Sequence, residues 1–158
     1  MKKKIAIVLI PIIILLCACG SDESNIFDRV MGVTDASKVI KILGEPDSEE
    51  ANRTQMEYYY IPFLGRTGRL WIHIENGKII CYYLTIKFTE PLEENGYSEY
   101  GEQCVDYFTE KYGPTEREAA NVIGESDGWT YTWNMSDESS FEVTAIPESA
   151  SVNVSYKP

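Results

Sequence analysis

The fold is decided by the stretch RLWIHIENGKIICYYL, which covers residues 69–84. Two runs rich in β-branched and aromatic residues flank the dipeptide Asn76-Gly77, which is the strongest short-range indication of a two-residue β-hairpin loop. On the core side, the predicted register sets these residues opposite each other: Ile74 and Ile79, Ile72 and Cys81, Leu70 and Tyr83. On the other side, the outer face, it leaves a mixed aromatic and polar set: Arg69, Trp71, His73, Glu75, Lys78, Ile80, Tyr82 and Leu84.

The same kinds of element extend on both sides of this hairpin. A Tyr-rich strand is predicted over Gln55–Phe63, and a helix that begins near Thr34 or Asp35 stops at Gly44, two residues before Pro46. The second half contains a predicted helix over 101–112, followed by strands over Trp129–Asn134, 141–146 and 152–156. We therefore expect an α+β protein of two tandem repeats, 32–90 and 101–158, each a helix plus a three-stranded antiparallel sheet.

The N-terminal region has the pattern of an exported precursor. Three lysines at positions 2–4 precede an uncharged apolar run over 5–18, which is too short for a stable membrane span. The sequence Leu16-Cys17-Ala18-Cys19 resembles a bacterial lipobox, and this resemblance implies cleavage after residue 18 and acylation of Cys19 with chains such as palmitate. We expect a signal peptide over 1–18, a lipidated N-terminus and tether over 19–31, and an extracytoplasmic protein anchored to a bacterial membrane.

The charge of the chain restricts its partners. Its formal net charge is −11, and the loss of three lysines with the signal peptide makes the mature chain more negative still. Nucleic-acid binding requires a basic stripe, which this sequence lacks. Anionic lipid surfaces should also repel the chain, so the acyl chains would have to hold it at the membrane.

Two cysteines have no role in the predicted anchor. Cys17 leaves with the signal peptide and Cys19 carries lipid, so Cys81 and Cys104 remain in a compartment where disulfides persist. They form either a disulfide or two buried free thiols, because free cysteine packs as a small hydrophobic residue.

The sequence offers little for catalysis. His73 is the one histidine, and the predicted hairpin sets it on the outer face between Trp71 and Glu75. No nucleophile elbow, phosphate-binding loop, Cys-x-x-Cys pair or metalloprotease helix motif occurs. We expect no catalytic residue, no metal and no cofactor. Pairs of carboxylates are numerous but fall mostly in predicted loops, where solvated charge is the ordinary explanation.

Several motifs resemble the SmpA/OmlA (BamE-like) small lipoproteins. They are Gly32-Val33-Thr34, then Val39, then Leu43-Gly44-Glu45-Pro46-Asp47, followed by the Tyr-rich strand and LWIHIENGKI at 70–79. The resemblance implies a helical hairpin packed on a three-stranded sheet, and a role accessory to outer-membrane barrel assembly. The tandem arrangement is similar to the β-lactamase inhibitory protein fold, which uses an open sheet surface to grip an enzyme. The chain departs from the BamE-like pattern by its second repeat and its acidity.

The aromatic residues point to a binding role. Tyr and Trp are frequent on the predicted strands, where they serve either as core or as a recognition surface. Trp, Tyr and Arg dominate binding hot spots, so the predicted partner-binding residues are Arg69, Trp71, His73 and Tyr82. We expect a non-catalytic protein-binding or envelope-assembly module. The alternative is a cell-wall-directed hydrolase or carbohydrate-binding module, which would require a concave cleft with two convergent carboxylates near Trp71.

Overall fold

A computed structural model describes residues 25–50, 54–88, 96–119, 128–146 and 151–158, with the side chains of 96–98 left out. The signal peptide, Cys19 and the first part of the predicted tether lie outside these residues. The described elements, in chain order, are α1 Ile26–Val30, α2 Ala36–Leu43, β1 Ser48–Glu49, β2 Gln55–Phe63, β3 Arg66–Glu75, β4 Lys78–Lys87, α3 Gly96–Tyr112, β5 Arg117–Ala119, β6 Trp129–Asn134, β7 Ser140–Ile146 and β8 Ser151–Lys157.

The strands form one antiparallel sheet of eight strands in the order β1-β2-β3-β4-β8-β7-β6-β5. The prediction of two helix-plus-three-strand repeats is therefore wrong. Strand β4 pairs with β8 from Tyr82↔Tyr156 to Lys87↔Ser151, so the regions 32–90 and 101–158 share a sheet. In two separate sheets, β4 and β8 would each be an edge strand with a row of unpaired backbone N–H and C=O groups. The β4–β8 ladder pairs these groups with each other. The short strands β1 and β5 form the edges.

The helices pack on one side of the sheet. Helix α2 follows the prediction: Asp35 caps its N-terminus through a hydrogen bond from Ser37 N, and the helix ends at Gly44, whose φ is 91°. Helix α3 begins at Gly96, five residues before the predicted start. Helix α1 differs from the predicted tether over 19–31, because residues 26–30 form a helix with three buried side chains: Ile26, Phe27 and Val30.

The core between helices and sheet is largely aromatic. The ring of Phe27 makes edge-on contacts with three other phenylalanines, with centroid separations of 5.6 Å to Phe63, 6.3 Å to Phe108 and 6.0 Å to Phe141. These contacts join α1, β2, α3 and β7, since each ring belongs to a different element. Aromatic pairs of this geometry stabilise a core beyond the area they bury.

The β3–β4 hairpin has the predicted loop but a different register. Asn76 and Gly77 both have positive φ, 50° and 76°, as a two-residue hairpin turn requires. Ile74 pairs with Ile79 as predicted, but a β-bulge follows and His73 pairs with Cys81, which leaves Ile80 as the extra residue. Beyond the bulge, every residue of β4 faces the side opposite to its prediction.

This bulge moves Tyr82 into the core and Cys81 out of it. Tyr82 is completely buried and donates a hydrogen bond of 2.7 Å from its hydroxyl to Val33 O, so its prediction as a partner-binding residue is corrected. Cys81 lies half-buried on the outer face, whereas Cys104 is buried on α3 on the helix side. Both thiols are free, and the sheet separates them.

Candidate binding surface

The sheet has an open face, which we define as the side opposite the three described helices. In the residues that the structure describes, α1 contacts β2 and α3 contacts β7 and β8, and their buried partners point away from this face. Along β3, β6 and β7 the side chains of this face alternate with core side chains, whereas the irregularities in β2 and β4 interrupt the alternation on those strands. Its principal side chains are Glu57, Tyr59, Arg69, Trp71, His73, Cys81, Tyr83, Thr85, Thr130, Thr132, Glu142, Thr144, Asn153 and Ser155.

Four of these side chains form a connected group, the aromatic patch, which comprises Glu57, Tyr59, Arg69 and Trp71. The Glu57 carboxylate accepts three hydrogen bonds within the patch: 2.5 Å from Arg69 Nη2, 2.6 Å from Trp71 Nε1 and 3.0 Å from the Tyr59 hydroxyl. It also accepts one of 3.0 Å from Gln55 Nε2. A single carboxylate thereby fixes the positions of a guanidinium, an indole and a phenol.

The guanidinium of Arg69 lies between two aromatic rings. Its central carbon is 4.9 Å from the Tyr59 ring centroid and 4.7 Å from the Trp71 ring centroid. Both distances are within the range of cation–π attraction. The cation–π contacts and the Glu57 hydrogen bonds hold the same side chains in place before any partner binds. Binding therefore costs less side-chain entropy than it would for freely rotating side chains.

The β2–β3 ladder explains why these residues meet. Glu57 pairs directly with Trp71, which sets both side chains on the same face. The ladder then shifts register between Tyr58 and Ile61, and Tyr60 within the shift has a φ of 57° and is 83% exposed. The irregularity therefore projects a large aromatic side chain beside the patch.

A shallow hollow of about 400 Å³, the aromatic hollow, adjoins Trp71. Besides Tyr59, Tyr60 and Trp71, its lining contains two cationic side chains, Arg69 and Lys87, and small residues from β3 and β4. The alternative of a hydrolase required two convergent carboxylates here. Among the described residues, those that line the aromatic hollow carry positive charge and no carboxylate.

The electrostatics of the patch keep Glu57 ionised. The hydrogen bond from Arg69 is the largest influence on the pKa of Glu57 and lowers it. Desolvation, the next largest, raises this pKa, and the hydrogen bonds from Tyr59 and Trp71 lower it again, so that the pKa stays below its ordinary value. The same bond raises the pKa of Arg69. The pKa of Glu57 is lower in the folded protein than in the unfolded chain. Ionised Glu57 therefore contributes to the free energy of unfolding at any pH above the usual carboxyl pKa, and this contribution is lost as the pH falls through the depressed pKa.

His73 and Cys81 face each other across β3 and β4 on the open face. A Cys–His pair can supply a nucleophile if the thiol is readily ionised. Desolvation instead raises the pKa of Cys81, with a smaller opposing influence from Lys157. The thiol form is favoured at neutral pH, which is the wrong direction for nucleophilic activation.

Three of the four predicted partner-binding residues lie on the open face: Arg69, Trp71 and His73. Arg69 and Trp71 are in contact within the patch, whereas His73 lies further along β3, opposite Gln55 and Cys81. The prediction missed Glu57, Tyr59 and Tyr60. Alternation along Glu57-Tyr58-Tyr59 would have indicated the first two, once β2 was aligned with β3.

In the described ranges, no three His, Cys, Asp or Glu side chains lie close enough together to hold a metal ion. None of the helices there is long and apolar enough to cross a membrane. Comparisons with protein-family models, curated proteins and solved structures give no match to this chain. The resemblance to the SmpA/OmlA lipoproteins therefore stays a prediction.

Proposed function

We propose that this chain is an extracytoplasmic lipoprotein, anchored through acylated Cys19, that binds a protein partner through the aromatic patch. The observation that carries the proposal is the Glu57 carboxylate, which holds Arg69, Trp71 and Tyr59 in one hydrogen-bonded group on an open sheet face. Tryptophan, tyrosine and arginine are the residues most enriched in binding hot spots. Their fixed positions lower the entropic cost of association.

The charged side chains that line the aromatic hollow indicate the chemistry of the partner. Arg69 and Lys87 bring two cations to the aromatic hollow of a chain whose net charge is −11. A partner segment with an apolar or aromatic side chain and a carboxylate would fit this lining. The alternative of a cell-wall hydrolase gains no support at this place, since the adjoining lining is cationic.

Site-specific photocrosslinking in intact cells tests the partner proposal. A photoreactive phenylalanine analogue at the exposed position Tyr60 should give a discrete protein adduct, and the same analogue at exposed Lys38 on α2 should not give this adduct. Trp71→Ala should reduce the yield at position 60 at least about tenfold, because truncation of a hot-spot residue commonly costs ~2 kcal/mol or more of binding free energy.

Thermal unfolding of the Trp71→Ala protein provides the control for this experiment. Trp71 is half-buried on the open face, so its loss should affect the free energy of unfolding far less than the loss of buried Ile72 on the same strand. An adduct whose yield is unchanged by Trp71→Ala, or an equal yield of the same adduct from position 38, would refute the aromatic patch as the binding surface.

The anchor is tested by Cys19→Ala. If Cys19 carries the lipid, the variant should lose fatty-acid labelling and appear as unprocessed precursor or released protein. Metabolic labelling with a fatty-acid analogue, followed by separation of membrane and soluble fractions, measures both effects. Cys17→Ala is the matched control and should keep the label. Label that persists in Cys19→Ala would contradict the proposed anchor.

A further inference from the structure

A second hollow, the polar hollow, lies in the open face over β6, β7 and β8. Its volume is about 380 Å³, and its lining includes the polar residues Glu118, Thr130, Glu142, Thr144, Asn153 and Ser155. It is separate from the aromatic hollow, with which it shares no lining residue. Its size is that of a pocket for a small ligand or for one side chain of a larger one.

Asn153 supplies the first indication of a ligand. The residue is only 6% exposed, and its Oδ1 atom is buried without a hydrogen-bond partner in the part of the chain that the structure describes. Buried polar atoms in native proteins are almost always hydrogen-bonded, so an unpaired one beside a cavity calls for a donor from outside the fold. The missing partner must carry an N–H or O–H group.

Two of the threonines that line the polar hollow, Thr130 and Thr144, are hydrogen-bonded to each other, and Thr144 is also hydrogen-bonded to Glu142. Thr144 donates its hydroxyl proton to Glu142 Oε1 at 3.3 Å, and the Thr130 hydroxyl lies 2.9 Å from that of Thr144. When Thr144 donates its proton to the carboxylate, Thr130 is the donor of the second bond, in which either hydroxyl can donate. In that arrangement the chain of hydroxyls ends on the Glu142 carboxylate, which is an acceptor in the lining of the hollow.

The charge of the lining agrees with this hydrogen-bond direction. Glu118 and Glu142 are the charged residues that line the polar hollow in the described ranges, and neither lysine nor arginine occurs there. Acceptor oxygens and negative charge in the lining favour a ligand group that is positively charged and carries hydrogen-bond donors. Guanidinium and ammonium groups have both properties, and guanidinium offers five donors in a fixed plane.

We propose that the polar hollow binds the guanidinium or ammonium group of a cationic ligand, with Glu142 and Asn153 Oδ1 as the principal acceptors. The proposal is independent of the aromatic patch, because it depends on different residues. The cation comes either from a basic side chain of a protein or from a free small amine. The recognised chemistry is the same in both cases.

Titration of the isotope-labelled full chain in neutral detergent, followed by amide NMR, tests the proposal with defined probes. The capped tripeptide Ala-Arg-Ala and methylguanidinium are the cationic probes, and the capped tripeptide with citrulline in place of arginine is the neutral one. We expect saturable shifts confined to the lining of the polar hollow on β5, β6, β7 and β8, with the citrulline peptide at least about tenfold weaker because it lacks the charge. Tighter binding of the arginine peptide than of methylguanidinium identifies a protein side chain as the source, and equal affinity identifies a free cation.

Matched variants separate this site from general attraction to an acidic protein. Glu142→Gln should weaken arginine-peptide binding at least about tenfold, and Glu118→Gln at the exposed edge strand should weaken it as well. Glu110→Gln makes the same charge change at an exposed position of α3, on the opposite side of the sheet, and should leave the affinity within about twofold. Equal binding of arginine and citrulline peptides, equal effects of Glu142→Gln and Glu110→Gln, or shifts absent from the polar hollow would each overturn the proposal. Loss of binding here leaves the Tyr60 crosslink unaffected, so the two proposals fail separately.

Discussion

Replacement of Phe27 by alanine should lower the free energy of unfolding by about 3–5 kcal/mol, the usual cost of emptying an aromatic site in a core. Phe27 is 1% exposed and its ring contacts three other phenylalanines from separate elements. Few side chains can move into the space it leaves, because the surrounding rings are held by their own strands and by α3. Urea denaturation monitored by circular dichroism measures the change.

The matched control for Phe27→Ala is Lys38→Ala, in which an exposed side chain of α2 is truncated. This variant should stay within ~0.5 kcal/mol of the unaltered protein, as surface substitutions usually do. An equally small effect of Phe27→Ala would show that α1 does not belong to the core. A small domain has only about 5–15 kcal/mol of stability in total, so the expected loss is a large share of it.

The sequence could not show that α1 is part of the fold. Its five residues are too few for a helix to be stable by itself, and isolated helices of this length do not form in water. The polar residues around Asn25 resemble a tether in composition. What holds the helix is its contact with β2 and α2, together with the Asn25 cap, in which Oδ1 accepts a hydrogen bond from Phe27 N. A segment that is held by contacts with distant parts of the chain need not show a periodic pattern in its own sequence.

The single sheet escaped prediction for a related reason. Helix α2, the β3–β4 hairpin and its Asn76-Gly77 loop follow from local rules of capping and turn geometry, and the structure confirms them. The β4–β8 ladder joins residues about 70 positions apart, such as Tyr82 and Tyr156. Local patterns indicate that a strand exists and which residues alternate, but they do not select its neighbour.

The proposed binding surface could be predicted in part. Arg69, Trp71 and His73 alternate within β3, and alternation alone was enough to set them on one face. Glu57 required the β2–β3 register, which includes an irregularity at Tyr60 that no sequence rule specifies. The Glu57 carboxylate is nevertheless the group that organises the patch, because Arg69, Trp71 and Tyr59 all donate to it.

The register of β4 could not be read from its sequence, because residues 79–84 are all apolar or aromatic and do not alternate. Residues of a continuous apolar run can face either side of the sheet, so the run does not distinguish the bulged register from the bulge-free one. The bulge at Ile80 reverses the assignment of two adjacent tyrosines. Tyr82 lies in the core and Tyr83 on the open face, where its ring centroid is 6.0 Å from that of Trp71.

These adjacent tyrosines provide the sharpest test of the register. Tyr82→Ala should lower the free energy of unfolding by about 3–5 kcal/mol, since it empties a fully buried site stacked on Tyr156 at 5.9 Å. Tyr83→Ala removes a half-buried ring from the open face and should cost only about 1 kcal/mol. Tyr82→Phe keeps the ring but loses the hydrogen bond to Val33 O, for a cost of about 1 kcal/mol. A bulge-free hairpin requires the reverse order, with Tyr83→Ala the more damaging substitution, so urea denaturation of the two alanine variants decides between the registers.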